Sequence, residues 1–232
     1  MPSPLERFQL QLDRSRHAAP QVFERLRDAI IAIELVPGTV LSRAELSLQF
    51  GLSQTPIRDA LMKLGEEGLV DIFPQHATVV RAIDISVARQ EHFLRSAIEL
   101  ELVRSLATTP DAALITRLER SIEKQKMLVD SEDYSEFVAA DQGFHRAMYE
   151  AGSIADLWIM VRRHSGHIDR LRALHVPIPG KTHAVLRDHI AIVAAIAAGD
   201  PAAAQAALRA HLSGTLAHVD EIKTRFPHYL KE

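Results

Sequence analysis

The sequence predicts a mainly α protein in two parts: three short helices closed by a small β-hairpin, then an all-helical bundle of about six helices. Three observations predict it. Aromatic residues are only 5% of the chain while alanine is abundant, a composition that favours helix. One stretch alone, Leu69 to Ile83, breaks the helical pattern, with β-branched and aromatic residues flanking a Pro74-Gln75-His76-Ala77 turn. Helix punctuation recurs along the chain, as Pro37-Gly38, Gly51, Gly68, Thr109-Pro110, Gly199 and Asp200-Pro201.

The three N-terminal helices are expected over about 20–35, 43–50 and 54–67. Helices in that number followed by a hairpin form a winged-helix order. Ser53 is placed to cap the third helix, and Pro56 falls in its first turn, where the missing N–H costs little. The domains are expected as 1–82, with 1–18 flexible, a linker over 83–88 around Asp84-Ile85-Ser86, and a helical domain over 89–228. Its six helices are expected near 86–107, 110–130, 133–151, 153–175, 181–198 and 201–224. The Ala-rich run Ala191 to Ala210 reads as close helix packing.

A chain of 232 residues that is 47% hydrophobic can bury a real core. Charged residues are 25% of it, the net charge is −3, and no long block of one sign occurs, which argues for a globular rather than a disordered chain. Residues 1–80 hold eight Lys/Arg against ten Asp/Glu, so any phosphate-binding surface must be a local arrangement. The absence of cysteine excludes disulfides, thiolate metal sites and cysteine nucleophiles, and suits a reducing compartment. The longest apolar run, Ile190 to Ala198, is far too short to span a membrane, and Glu6 and Arg7 interrupt the N-terminus, so a cytoplasmic location is expected.

In the third helix Ile57, Ala60, Leu61 and Leu64 share one face and would pack on Leu46 and Phe50. The other face carries Gln54, Thr55, Arg58 and Lys63. Gln pairs bidentately with adenine and Arg with guanine, while the hydroxyls of Ser53 and Thr55 and the guanidinium of Arg43 can reach phosphate. The plainer alternative is that Arg58 is a surface residue paired with Asp59 or Glu66. The segment Leu41 to Val70, with Ser53-Gln-Thr-Pro-Ile-Arg-Asp-Ala-Leu61 and Glu67-Gly-Leu-Val70, resembles the winged helix of the GntR family of bacterial transcriptional regulators. The resemblance implies DNA contacts at Ser53, Gln54, Arg58 and the wing tip His76. The family usually has Arg where this chain has Gln54, and Gly where it has Ala77.

In the second part, Asp141 and His145 project from one helix face at i, i+4, and His189 and His211 lie on later helices among apolar neighbours. Three imidazoles and a carboxylate suit a borderline divalent cation, Zn²⁺, Ni²⁺, Mn²⁺ or Fe²⁺, with positions left open for a ligand oxygen. Alternatively, His189 and His211 are core histidines bonded to backbone carbonyls.

Val87 to His218 resembles the FCD effector domain of the FadR-like branch. Arg95-Ser-Ala-Ile-Glu99, Asp141-Gln-Gly-Phe-His145, Arg187 to Ile196 and Leu208-Arg-Ala-His-Leu212 carry the likeness. It implies that Asp141, His145, His189 and His211 are metal ligands and that Arg95 presents its guanidinium to a bound acid, against the alternative of a salt bridge to Glu99. The function implied is a homodimeric repressor that reads a palindromic operator and is released by a small organic or sugar acid. The rival readings are a metal-dependent enzyme, for which no separate catalytic base stands out, and a metal-stabilised DNA-binding protein without an effector.

Overall fold

A computed structural model describes residues 12–73, 77–131 and 134–231. The chain forms two compact units, one of residues 1–85 together with 225–232, the other of residues 86–224.

The first unit begins with α1 (Ala18–Ile31), α2 (Arg43–Phe50) and α3 (Gln54–Glu66). Ser42 caps α2 by accepting from the Glu45 N–H, and Gly51 ends it in the left-handed conformation at φ 63°. The inward faces of the three helices supply Val22, Leu26, Ile30, Leu46, Ile57 and Leu64, all fully buried in one core. Burying an aliphatic side chain of this size stabilises the fold by roughly 1.5–3 kcal/mol each. The wing is β1 (Val70–Phe73) antiparallel to β2 (Ala77–Val80), in register Val70 to Val80, and Val80 and Val70 close the core. The tip expected to carry His76 lies outside the described residues.

Two sequence expectations change here. Ser53 stands at the N-cap of α3, but its hydroxyl makes no capping bond. The third residue of the helix, Pro56, has no N–H for a cap to satisfy. The stretch 83–88, expected as a linker, contains the division between the two units at 85/86 but is regular structure. Ile83 and Asp84 form β3, which pairs in parallel with β4 (Leu230–Lys231), and the chain enters α4 (Ile85–Thr108) at the next residue. Ile83 N–H donates to the Tyr229 carbonyl, so the C-terminal strand satisfies backbone groups that a free linker would leave to water.

The second unit continues with α5 (Ala112–Leu128), α6 (Tyr134–Ala151), α7 (Ala155–Arg163), α8 (Gly166–His175), α9 (Lys181–Ala197), α10 (Pro201–Ser213) and α11 (Val219–Arg225). Its core gathers Val103, Leu118, Phe144, Met148, Ile192, Ile196 and Leu208. The helix expected over 153–175 is two helices. His164 and Ser165 leave helical geometry, Ser165 Oγ donates to Asp169 at 2.6 Å, and the buried first-turn N–H groups of His167 and Ile168 donate to Glu91 of α4 at 2.9 and 2.7 Å. The helix expected over 201–224 likewise breaks at Gly214 and Thr215, with a short 3₁₀ turn before α11. Among the described residues no helix is long and apolar enough to cross a membrane.

Candidate functional site

The first candidate surface lies on α2 and α3. Ile57, Ala60, Leu61 and Leu64 are buried. Arg43, Ser53, Gln54, Thr55 and Arg58 are all exposed at or near the N-terminal ends of the two helices. Arg58 pairs with its neighbour Asp59 at 3.1 Å, both side chains about half exposed, so the pair is weak and easily exchanged for another anion. Lys63, expected on the same free face, instead lays its ammonium over the Phe23 ring at 4.2 Å.

The second site is buried in the second unit. Asp141 and His145 come from α6, His189 from α9 and His211 from α10, and each offers one donor atom within 4.8 Å of all the others. Donors held at about 2.0–2.2 Å from a common ion stand roughly 3 to 4.5 Å apart, so the set has the size of a coordination shell.

One hydrogen bond and two acidic neighbours behind the rings bear on which nitrogens face inward. His189 Nδ1 lies 2.7 Å from Gln125 Oε1, an atom that only accepts, so Nδ1 carries the proton and Nε2 keeps a lone pair. His145 Nδ1 is 3.0 Å from Glu99 Oε2, and His211 Nδ1 is 3.6 Å from Asp188 Oδ2. Nε2 of His145 and Nε2 of His211 then meet at 3.1 Å. Nε2 of His189 and Oδ1 of Asp141, 3.5 Å apart, are buried without a hydrogen-bond partner. A cation between these atoms would satisfy all four at once; in its place one ring of the His145–His211 pair must carry its proton on Nε2.

The charges suit one. Burial pushes the His189 imidazole well below its usual range, helped by His211 and only partly opposed by Asp141. Burial also pushes His211 down to about 4, against its bond to Asp188. Burial works the other way on Asp141, but Arg172 at 2.5 Å and the three imidazoles override it and hold the carboxyl well below the usual carboxylate range. At neutral pH Asp141 is therefore an anion and His189 and His211 are neutral rings, the forms that bind metal.

Comparison with known proteins places the chain in a family. The FCD domain matches residues 92–214, and the gntR family of bacterial regulatory proteins matches residues 18–80. An HTH-type transcriptional regulator from an unstable DNA locus of Streptomyces ambofaciens is 30% identical over 89% of this chain and 86% of its own. The chain belongs to the GntR family of transcriptional regulators, in the branch with an FCD domain. The HTH-type transcriptional repressor RspR of Escherichia coli K12 is 28% identical over 92% of this chain and 93% of its own. The fold is shared with Escherichia coli McbR/YncC, at a TM-score of 0.74 and 20% identity over 89% of this chain and 98% of that one.

In this GntR-family chain the FCD match contains all four clustered residues and Arg95. Arg95 is buried on α4, and its Nε donates to Glu99 at 2.7 Å, so the i, i+4 salt bridge weighed as the alternative is present. Its terminal nitrogens have no hydrogen bond among the described residues. Arg95 also lines a cavity of about 30 Å³ together with Asp141, Arg172, Lys181 and His211, room for a water or two.

The motifs left several residues unread. Gln125 and Asp188 orient the rings, and Glu99 serves Arg95, His145 and Tyr149 at once. Arg172 ties Asp141 to Asp169. Glu91, Arg95 and Glu99 recur at i, i+4, a buried charged stripe that was visible in the sequence. Gln125 carried no such signal. His167 faces Arg170 at 3.1 Å, and His164 is exposed.

Proposed function

We propose that this regulator is a homodimeric repressor of a palindromic operator, released when a small carboxylate or sugar acid binds beside a divalent ion held by Asp141, His145, His189 and His211. The observation that carries the reading is the convergence of three imidazoles and one carboxylate on a buried point, where Nε2 of His189 and Oδ1 of Asp141 have no hydrogen-bond partner and Nε2 of His145 and His211 have only each other. A divalent ion there, Zn²⁺, Ni²⁺, Mn²⁺ or Fe²⁺, supplies a Lewis-acid position for one carboxylate oxygen.

The chain's own residues do the rest. Gln125, Glu99 and Asp188 hold the rings in the tautomer that turns lone pairs inward. Arg95 offers its unbonded terminal nitrogens to the acid, a fork suited to a carboxylate. On the DNA side, Gln54 and Arg58 read base edges, and Arg43, Ser53 and Thr55 bind phosphate. The tip residue His76 is assigned to DNA on family resemblance alone. Two such surfaces in a dimer match a palindrome by symmetry. Arg95 and Glu99 sit on α4, which follows β3 without a linker, so an acid that moves α4 acts on the segment leaving the wing.

The test is a thermal melt of the full chain against small carboxylates and sugar acids, with and without chelator, since ligand binding raises apparent stability. Stabilisation by an acid that vanishes on chelation is the expected result. If chelation alone destabilises and no acid shifts the melt, the metal is structural and the effector reading fails.

A further inference from the structure

The cavity beside the cluster is lined by one cation that has no ion-pair or hydrogen-bond partner among the described residues. Lys181, the first residue of α9, lines it half-buried and makes no side-chain hydrogen bond or ion pair among the described residues. Its position is unfavourable in the protein alone, because a cation at a helix N-terminus meets the positive end of the dipole. Burial and the Arg172 charge push its ammonium down, and the more distant carboxylates of Asp188 and Asp141 offset this only in part. Its Nζ is packed so tightly on Gly214 that a Cβ there would lie 2.8 Å away. Nearby, His175 Nδ1 is buried with no hydrogen-bond partner, and Lys181 is one of the charges that depress that ring.

The other charges around the cavity are matched. Arg95 is paired with Glu99, Arg172 with Asp141, and Arg162 with Asp169. With a divalent ion in the cluster and Asp188 set against it, one positive charge is left at the ion and a second at Lys181. A monocarboxylate would neutralise only the first.

We infer that the effector carries two anionic groups, one received at the imidazole cluster beside Arg95 and the other by Lys181. This rests on the acid-effector reading above and narrows it to short dicarboxylates or phosphorylated acids. The ends of Lys181 and Arg172 are two walls of the present cavity, and both are long side chains that can swing aside to admit such a ligand.

The experiment is calorimetric titration of metal-loaded, full-length protein with matched pairs: succinate against butyrate, malate against 2-hydroxybutyrate, and 3-phosphoglycerate against glycerate. At least one doubly anionic member binds about tenfold or more tighter than its partner. Lys181→Met removes that preference without weakening the monoacid, and Lys181→Arg keeps it. Metal content and melting of each variant report its fold. Equal Kd values within every pair leave the acid-effector reading standing and overturn the second anionic site. So does a preference that survives in Lys181→Met. If no acid in either set binds, the acid-effector reading itself fails and this inference with it.

Discussion

The α3 surface and the imidazole cluster use the same kinds of polar side chain under opposite conditions. Gln54, Thr55 and Arg58 stand in solvent, where Arg58 has only its neighbour Asp59. Asp141, His145 and His189 are at most 2% exposed, and each is positioned by a residue from another helix. A surface kept for a large solvated partner contributes little to folding, so it can be altered without loss of structure. A site for an ion inside a bundle is part of the core, and there ligand chemistry and stability change together.

The sharpest attempt to break this contrast is Glu99→Ala. It strips Arg95, His145 and Tyr149 of a fully buried carboxylate, and the expected loss is roughly 3–5 kcal/mol in urea unfolding. A loss below about 1 kcal/mol would show that the cluster is not integral to the core. Gln125→Ala removes only the acceptor behind His189 and should weaken metal binding about 10–100-fold, read by competition with a chelator. An unchanged affinity would mean that the ring holds its orientation by packing on Phe144 alone, with which it stacks at 4.0 Å.

Arg58→Ala sharpens the other side. Operator binding should fall by about 1–3 kcal/mol, while unfolding shifts by no more than about 0.5 kcal/mol. Unchanged operator affinity would remove Arg58 from the reading surface. The smallest effect is on pH. Burial depresses His175 to about 4, so the folded state keeps it neutral while the unfolded chain takes up a proton below its ordinary 6.5. Its contribution is complete above about 6.5 and declines as pH falls towards 4. A His175→Phe variant should melt with a shallower acid dependence over that window.

The legible parts of the sequence were those where local chemistry decides the outcome. The α3 stripe Ile57, Ala60, Leu61 and Leu64 is buried as its spacing demands, and the Gly51 stop sits where α2 ends. Asp141 and His145 were readable as a pair because four residues of helix bring them to one face. Gln125 was not, because its role depends on α5 packing beside α9 across 64 residues of sequence. The strand at Ile83–Asp84, inside the stretch expected as a linker, was unreadable for a similar reason. Its partner strand lies at the far end of the chain, and two-residue strands carry no periodicity. The break before α8 was visible as Ser165-Gly166, but the reason for it, Glu91 on another helix, was not.

The central claim, that the buried cluster is a metal site separable from DNA reading, is tested most directly by elemental analysis of the full chain and of His189→Ala, each followed by an operator-binding titration. The account predicts one divalent transition-metal ion per chain, lost in the variant, with Arg58-dependent operator binding retained. Full metal occupancy in His189→Ala, or no bound transition metal in the parent protein after purification without chelator, would contradict it.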